Sequence, residues 1–145
     1  VSESISKIIN AGIPVMGHLG LTPQSIYKFG TYNVRGKNKI EADQLIEDAQ
    51  TLEKLGCFST VLEKIPHKLS EEISKKTKFP LIGIGAGNNV DGQVLVIHDL
   101  IGLTNEFNPR FIRRYLDLNS SIKSAVSQFI KDVKSSDFPS KDEMY

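Results

Sequence analysis

Cysteine is almost missing from this 145-residue sequence: Cys57 stands alone. One thiol cannot close an intrachain disulfide, which makes a reducing cytoplasm the simplest home. Cys57 has no patterned partner and reads as a small buried residue rather than a nucleophile. An excess of charge of either sign is also missing. The net charge is +1, so no global field would draw in nucleic acid or a membrane surface. No apolar run is long enough to span a bilayer. No basic stretch followed by an apolar segment marks an export signal in Val1-Ser2-Glu3-Ser4. Internal repeats and low-complexity segments are absent as well.

The residues present describe a soluble globular chain, 39% hydrophobic and 24% charged, of a size for one domain with a real core. It opens on Val1 rather than Met and enters a helical pattern at once, the start expected of a fragment or a processed product. Four apolar runs read as short buried strands: Ile13 to Met16, Phe58 to Leu62, Pro80 to Ile84 and Gln93 to Ile97. The last two are nearly all aliphatic, as parallel strands covered on both faces would be. Helical stripes accompany them. Ile5, Ile8 and Ile9 share a face closed by Gly12, and Leu45, Ile46, Ala49, Leu52 and Leu55 form a stripe ended by Gly56. Leu69 and Ile73 mark a shorter helix that starts near the first-turn residue Pro66. Asn108-Pro109 reads as an N-cap and first-turn proline. Ile122, Ala125, Val126, Phe129, Ile130 and Val133 make the strongest helical stripe, and the polar tail 135–145 reads as loose.

The resulting order is a helix followed by four strand–helix units, which implies a parallel sheet with right-handed crossovers. A small doubly wound sheet fits this order, and so does half of an eight-stranded barrel, whose complete form needs about 250 residues. Periodicity does not choose between them.

In both architectures active sites gather where strands end. Glu63 follows Val61-Leu62 at the end of an apolar run, where a carboxylate needs a partner or a task. A poorly solvated carboxylate gains proton affinity and can act as a general base; the structural alternative is a salt bridge to a neighbouring lysine. His18, between Gly17 and Gly20, can serve as an acid–base group or hydrogen-bond a substrate oxygen; the alternative is a histidine tied to backbone carbonyls. Gly83-Ile84-Gly85-Ala86-Gly87-Asn88 lacks the third glycine of a dinucleotide fingerprint and any P-loop lysine, and reads as a tight strand-to-loop turn. His98 and Asp99, adjacent on a strand, would point to opposite faces and would not share a metal ion. Arg35, Lys37 and Lys39 form a small basic cluster, solvated or facing an anionic tail, without the aromatic interleaving of a nucleic-acid binder.

Several of these blocks together resemble one family. Ile13-Pro14-Val15-Met16-Gly17-His18-Leu19-Gly20-Leu21-Thr22-Pro23-Gln24-Ser25 looks like the signature of the ketopantoate hydroxymethyltransferase family. Tyr32-Asn33-Val34-Arg35-Gly36-Lys37 is similar to its Y-K-V-Q-G block, with Asn33 and Arg35 as departures. Val61-Leu62-Glu63, followed by Ile65-Pro66, resembles its V-L-E block; Ile82 to Gly87 resembles I-G-I-G-A-G. Asp91 to Val96 with His98-Asp99 resembles D-G-Q-V-L-V-x-H-D. The blocks occur in family order and cover almost the whole chain, apart from a divergent ending at 138–145.

The resemblance implies a (β/α)₈ TIM barrel, of which residues 1–145 would be the C-terminal half: one partial domain carrying strands five to eight. It implies transfer of a hydroxymethyl group from 5,10-methylenetetrahydrofolate to 3-methyl-2-oxobutanoate, giving 2-dehydropantoate for pantothenate synthesis. Glu63 would accept the proton from C3, His18 would support it, and Ile84 and Val96 would line the pocket for the isopropyl group. Magnesium would be held by aspartates of the absent N-terminal half, so no metal ligand is expected in this chain. The small-molecule keto acid and folate would be the partners, with a cytoplasmic homo-oligomer, a decamer, as the assembly. A half barrel has open strand edges and an apolar inner face, which invite pairing with another chain. Two other readings stay open: a remnant or structural half that only assembles, and another carbon–carbon lyase or transferase of the same barrel class.

Overall fold

The computed structural model describes residues 1–30, 32–106 and 108–145. The chain separates into two compact units, 1–94 and 95–145.

The first unit is built on a parallel sheet: β1 (Met16–Gly20), β2 (Ser59–Glu63), β3 (Leu81–Ile84) and β4 (Gly92–Gln93), side by side in chain order. Helix α1 (Ser2–Asn10) precedes β1, and α2 (Ile26–Phe29) and α3 (Lys39–Leu55) connect β1 to β2. Helix α4 (His67–Lys76) connects β2 to β3. Helix α3 starts where Asn38 accepts the Glu41 N–H at 2.8 Å and stops at Gly56, whose φ of 92° no side chain adopts easily. Between those ends Leu45, Ile46, Ala49 and Leu52 are buried. With Leu69 and Ile73 of α4, Leu45, Ile46 and Ala49 cover Leu62 of β2 and Leu81 of β3, and Ile65 and Ala86 complete this core.

Sequence order without reversal leaves no topological switch point, which the doubly wound alternative requires. The molecule is an α/β protein with a four-stranded parallel sheet.

In the second unit α5 (Ile97–Leu100) leads through a turn to α6 (Leu118–Ser135), and a short 3₁₀ turn (Lys141–Glu143) follows. Asp117 caps α6 by accepting the Ser120 N–H at 3.2 Å. The Leu118 N–H donates to Ile101 at 3.0 Å, and the Asn119 amide donates to Leu103 at 3.0 Å. Phe129 and Phe138 meet edge to face, centroids 5.3 Å apart.

Several expectations are corrected. The first strand lies later than the apolar run, so His18 stands within a strand rather than after one. The fourth strand ends at Gln93: the Val94 N–H still reaches the Gly83 carbonyl at 3.0 Å, but Val94 and Val96 are exposed and Ile97 opens α5. His98 and Asp99 are therefore successive residues of a helix, not of a strand. No helix joins β3 to β4; seven residues bridge them, with Gly85 and Gly87 in left-handed conformation as the tight-turn reading required. Asn108-Pro109 starts no helix, because the Asn108 side-chain oxygen accepts from Arg114 at 3.0 Å instead of capping a first turn. Pro66 is the N-cap of α4 rather than its first helical residue.

Candidate active site

Side chains alternate across a strand, so the pairing register sorts this sheet into two faces. His18 lies opposite Val61, Gly20 opposite Glu63, Val61 opposite Ile82 and Glu63 opposite Ile84. One face therefore carries Met16, His18, Val61, Glu63, Ile82 and Ile84. The other carries Gly17, Leu19, Thr60, Leu62 and Leu81. The helices cover the second: a Cβ at Gly17 would come within 2.5 Å of Leu52. On the first, Met16 and His18 are exposed, and Val61, Glu63, Ile82 and Ile84 are only half-buried.

On that open face His18 Nε2 donates to Glu63 Oε2 at 2.9 Å. A carboxylate only accepts, so the imidazole hydrogen sits on Nε2 whether or not the ring is charged. The Glu63 side chain retains 20% of its exposure and the His18 side chain 34%, so solvent-sized groups reach both. The backbone around the pair is closely held. The Leu21 N–H donates to the Glu63 carbonyl at 2.9 Å, and the Lys64 N–H donates to the Ile84 carbonyl at 2.8 Å. Gly20 has φ 94°, and a Cβ there would stand 2.1 Å from the Glu63 carbonyl oxygen. Only glycine lets the end of β1 lie this close to Glu63.

The structure thus brings together three of the four residues singled out by sequence. Glu63, His18 and Ile84 share a face at the carboxyl end of the sheet. Val96 belongs to the second unit, where it is the extended N-cap of α5 and is 51% exposed. The lysine alternative for Glu63 is not what is seen: its partner is His18, and the Lys64 ammonium donates instead to the Tyr32 carbonyl. Arg35 of the basic cluster is ion-paired with Glu41. Two features had no sequence signal. Lys64, immediately after Glu63, adopts φ 50°, and the 32–38 loop is bonded to it. A lysine after a strand looks like any solvated lysine.

The residues do not fit a magnesium site. Among the described residues no group of three or more His, Cys, Asp or Glu is placed to hold one ion. Glu63 is engaged by His18, and the Asp91 carboxylate accepts the Leu81 N–H at 2.8 Å. What the pair can do unaided is hold and move a proton: His18 engages one carboxylate oxygen of a half-buried Glu63.

The family model described as ketopantoate hydroxymethyltransferase matches residues 1–141. The whole chain is 64% identical to a 3-methyl-2-oxobutanoate hydroxymethyltransferase of Flavobacterium johnsoniae, covering 53% of that protein. Proteins of the same description from Christiangramia forsetii and Porphyromonas gingivalis are 62% and 59% identical, again over the full chain and 53% of their own length. The chain spans about half the length of the curated relatives it matches.

Proposed function

The chain belongs to the ketopantoate hydroxymethyltransferase family, and on that premise we propose that it forms the proton-abstracting part of an enzyme that moves a hydroxymethyl group from 5,10-methylenetetrahydrofolate to 3-methyl-2-oxobutanoate. The product is 2-dehydropantoate, for pantothenate synthesis. The four strands are read as strands five to eight of a (β/α)₈ barrel. The strands before them are read into the length of the relatives that this chain does not span.

In this reading Glu63 takes the proton from C3 of the keto acid, and the electron pair left on C3 forms the new carbon–carbon bond to the one-carbon unit, whose two bonds to folate nitrogens break while water supplies the hydroxyl oxygen and a proton that leaves on the folate. His18 holds one carboxylate oxygen by its Nε2–H, which orients the other toward the substrate. Ile84, beside Glu63 on the same face, lines the pocket for the isopropyl group; for Val96 the same role rests on the family resemblance alone. Magnesium, whose Lewis acidity would make the C3 proton removable, is assigned to aspartates outside this chain. The observation that carries the proposal is the His18–Glu63 contact of 2.9 Å on the sheet face that the helices leave open.

The test is C3 exchange. In the complete enzyme, Glu63→Gln is expected to lower the rate at which the C3 hydrogen of 3-methyl-2-oxobutanoate exchanges with D₂O by roughly 10²–10⁴-fold, the usual worth of a general base. Substrate binding should change little. Unaltered exchange would remove Glu63 from this role.

A second reading, a structural half without activity of its own, accounts for the same observation, that the described residues offer no ligand set for the metal. Both readings expect the isolated chain to be inactive, and they part when the remainder of the barrel is supplied. The exposed apolar stripe of α6 supports assembly into a homo-oligomer, for which the decamer is proposed. Among the described residues no helix is long and apolar enough to cross a membrane, and the cytoplasm is the proposed location.

A further inference from the structure

Lys64 occupies a backbone conformation that its side chain disfavours. Its φ is 50°, in the left-handed region where residues with a Cβ are uncommon and glycine is at ease. Such conformations persist where the surroundings over-determine them, and they cluster at functional sites. The surroundings here are on view. The Lys64 N–H donates to Ile84 at 2.8 Å, and its carbonyl accepts the Arg35 N–H at 3.0 Å. Its ammonium donates to the Tyr32 carbonyl. The same loop is fastened at its other side to the first turn of α3. Arg35 pairs with Glu41, the Gly36 N–H donates to Glu41 at 2.8 Å, and Asn38 caps the helix. The 32–38 segment is therefore stretched between the start of α3 and the residue that follows β2, which is the neighbour of Glu63.

We propose that Lys64 is a positioning residue for the site: its ammonium and its carbonyl clamp the Tyr32–Lys37 loop beside Glu63 at the open carboxyl end of the sheet. This rests on the reading of Glu63 as the proton acceptor. The backbone alone does not explain the lysine, since glycine would make the same turn without strain. The ammonium adds the second fastening, on Tyr32, three residues before the first. With both in place the loop cannot swing away from Glu63 without breaking two hydrogen bonds at once. A reacting carbon must lie within a fraction of an ångström of its productive place, so a loosened wall beside the base costs turnover more than affinity.

The experiment compares Lys64→Gly, Lys64→Ala and Lys64→Arg in the complete enzyme. Glycine keeps the left-handed turn and deletes only the ammonium tie, so a loss there is not a folding defect; melting curves verify this. The Gly and Ala variants are expected to lower kcat about ten- to hundredfold with KM for the keto acid within about twofold, and Arg to restore most of it. Backbone amide exchange of residues 33–37 should speed up in Gly and Ala and return to the parent rate in Arg. Parental kcat in the Gly variant, unchanged exchange of the loop amides, or equal loss in Arg would each overturn the proposal. Failure of the underlying reading looks different: a parent enzyme without turnover, or Glu63→Gln that still exchanges C3, with the loop amides responding to Lys64 all the same.

Discussion

At Thr60 the chain buries a hydroxyl that has no hydrogen-bond partner. Its side chain is 0% exposed, beneath α3 and against Gly17. A buried polar atom without a partner carries its desolvation cost uncompensated, so the isosteric change Thr60→Val is expected to raise stability by about 1 kcal/mol, measured by denaturant unfolding. A lower unfolding midpoint would mean that the hydroxyl has found a donor or acceptor. Cys57 illustrates the opposite case, a group that burial makes quiet. It is 4% exposed, and desolvation pushes its thiol up from the ordinary cysteine value. The thiolate is the reactive form, so at neutral pH Cys57 should resist iodoacetamide while folded and react once the chain is unfolded. Rapid alkylation of the folded chain would contradict its place under the core. Thr60 lies on the opposite sheet face from His18 and Glu63.

Among the elements, α4 shows where the stability of the first unit is concentrated. Ile73 is fully buried in the core that α3 and α4 make against Leu62 and Leu81. Ile73→Ala should cost about 2–5 kcal/mol, read as a shifted midpoint with an unchanged denaturant slope. Helix α6 carries a pH signature. Hydrogen bonds from Ser120 hold the Asp117 carboxyl below its usual value. The cap therefore contributes above the ordinary aspartate range, about pH 4, and its contribution is lost as pH falls through the lower folded value. Asp117→Asn, which caps without ionising, should flatten the acid dependence of α6 helicity seen by circular dichroism. These helices were legible because a 3.6-residue stripe identifies a face: Leu45, Ile46, Ala49 and Leu52, grouped by spacing alone, are the residues α3 buries. The stripe of α6 was equally clear, yet Ile122, Val126, Phe129, Ile130 and Val133 stay 44–53% exposed. Spacing names an apolar face and is silent about what covers it. The apolar run 93–97 misled for a related reason, since a run this short suits a strand or a turn into a helix equally well. Asn108 carried a capping residue's chemistry but gave its oxygen to Arg114. Glu63 and His18 stood out because strand ends are where polar groups need explanation. Their pairing did not, since 45 residues separate them and only the register of β1 on β2 brings them together.

For the molecule as a whole, the sheet has a finished side and an unfinished one. Helices seal the face of Leu19, Leu62 and Leu81, while the face of Met16, Val61, Ile82 and Ile84 stays open to solvent, and β1 and β4 have no further partner strand among the described residues. Unpaired parallel edges and an apolar face favour association. The isolated chain is expected to elute from size exclusion as an oligomer or aggregate, and to become monodisperse when the remaining part of the barrel is present. A compact monomer with a sharp melting transition would show that four strands suffice. The same incompleteness fits the proposal that Glu63 accepts the proton here while the ion is held elsewhere, since no group among the described residues could hold one. The most direct test follows the C3–H signal of 3-methyl-2-oxobutanoate in D₂O by NMR with magnesium, for the chain alone, the separately made remainder, and the two mixed. Exchange is expected only in the mixture and should vanish when the chain carries Glu63→Gln; exchange by the chain alone, or by the mixture bearing Glu63→Gln, would contradict the proposed division of labour.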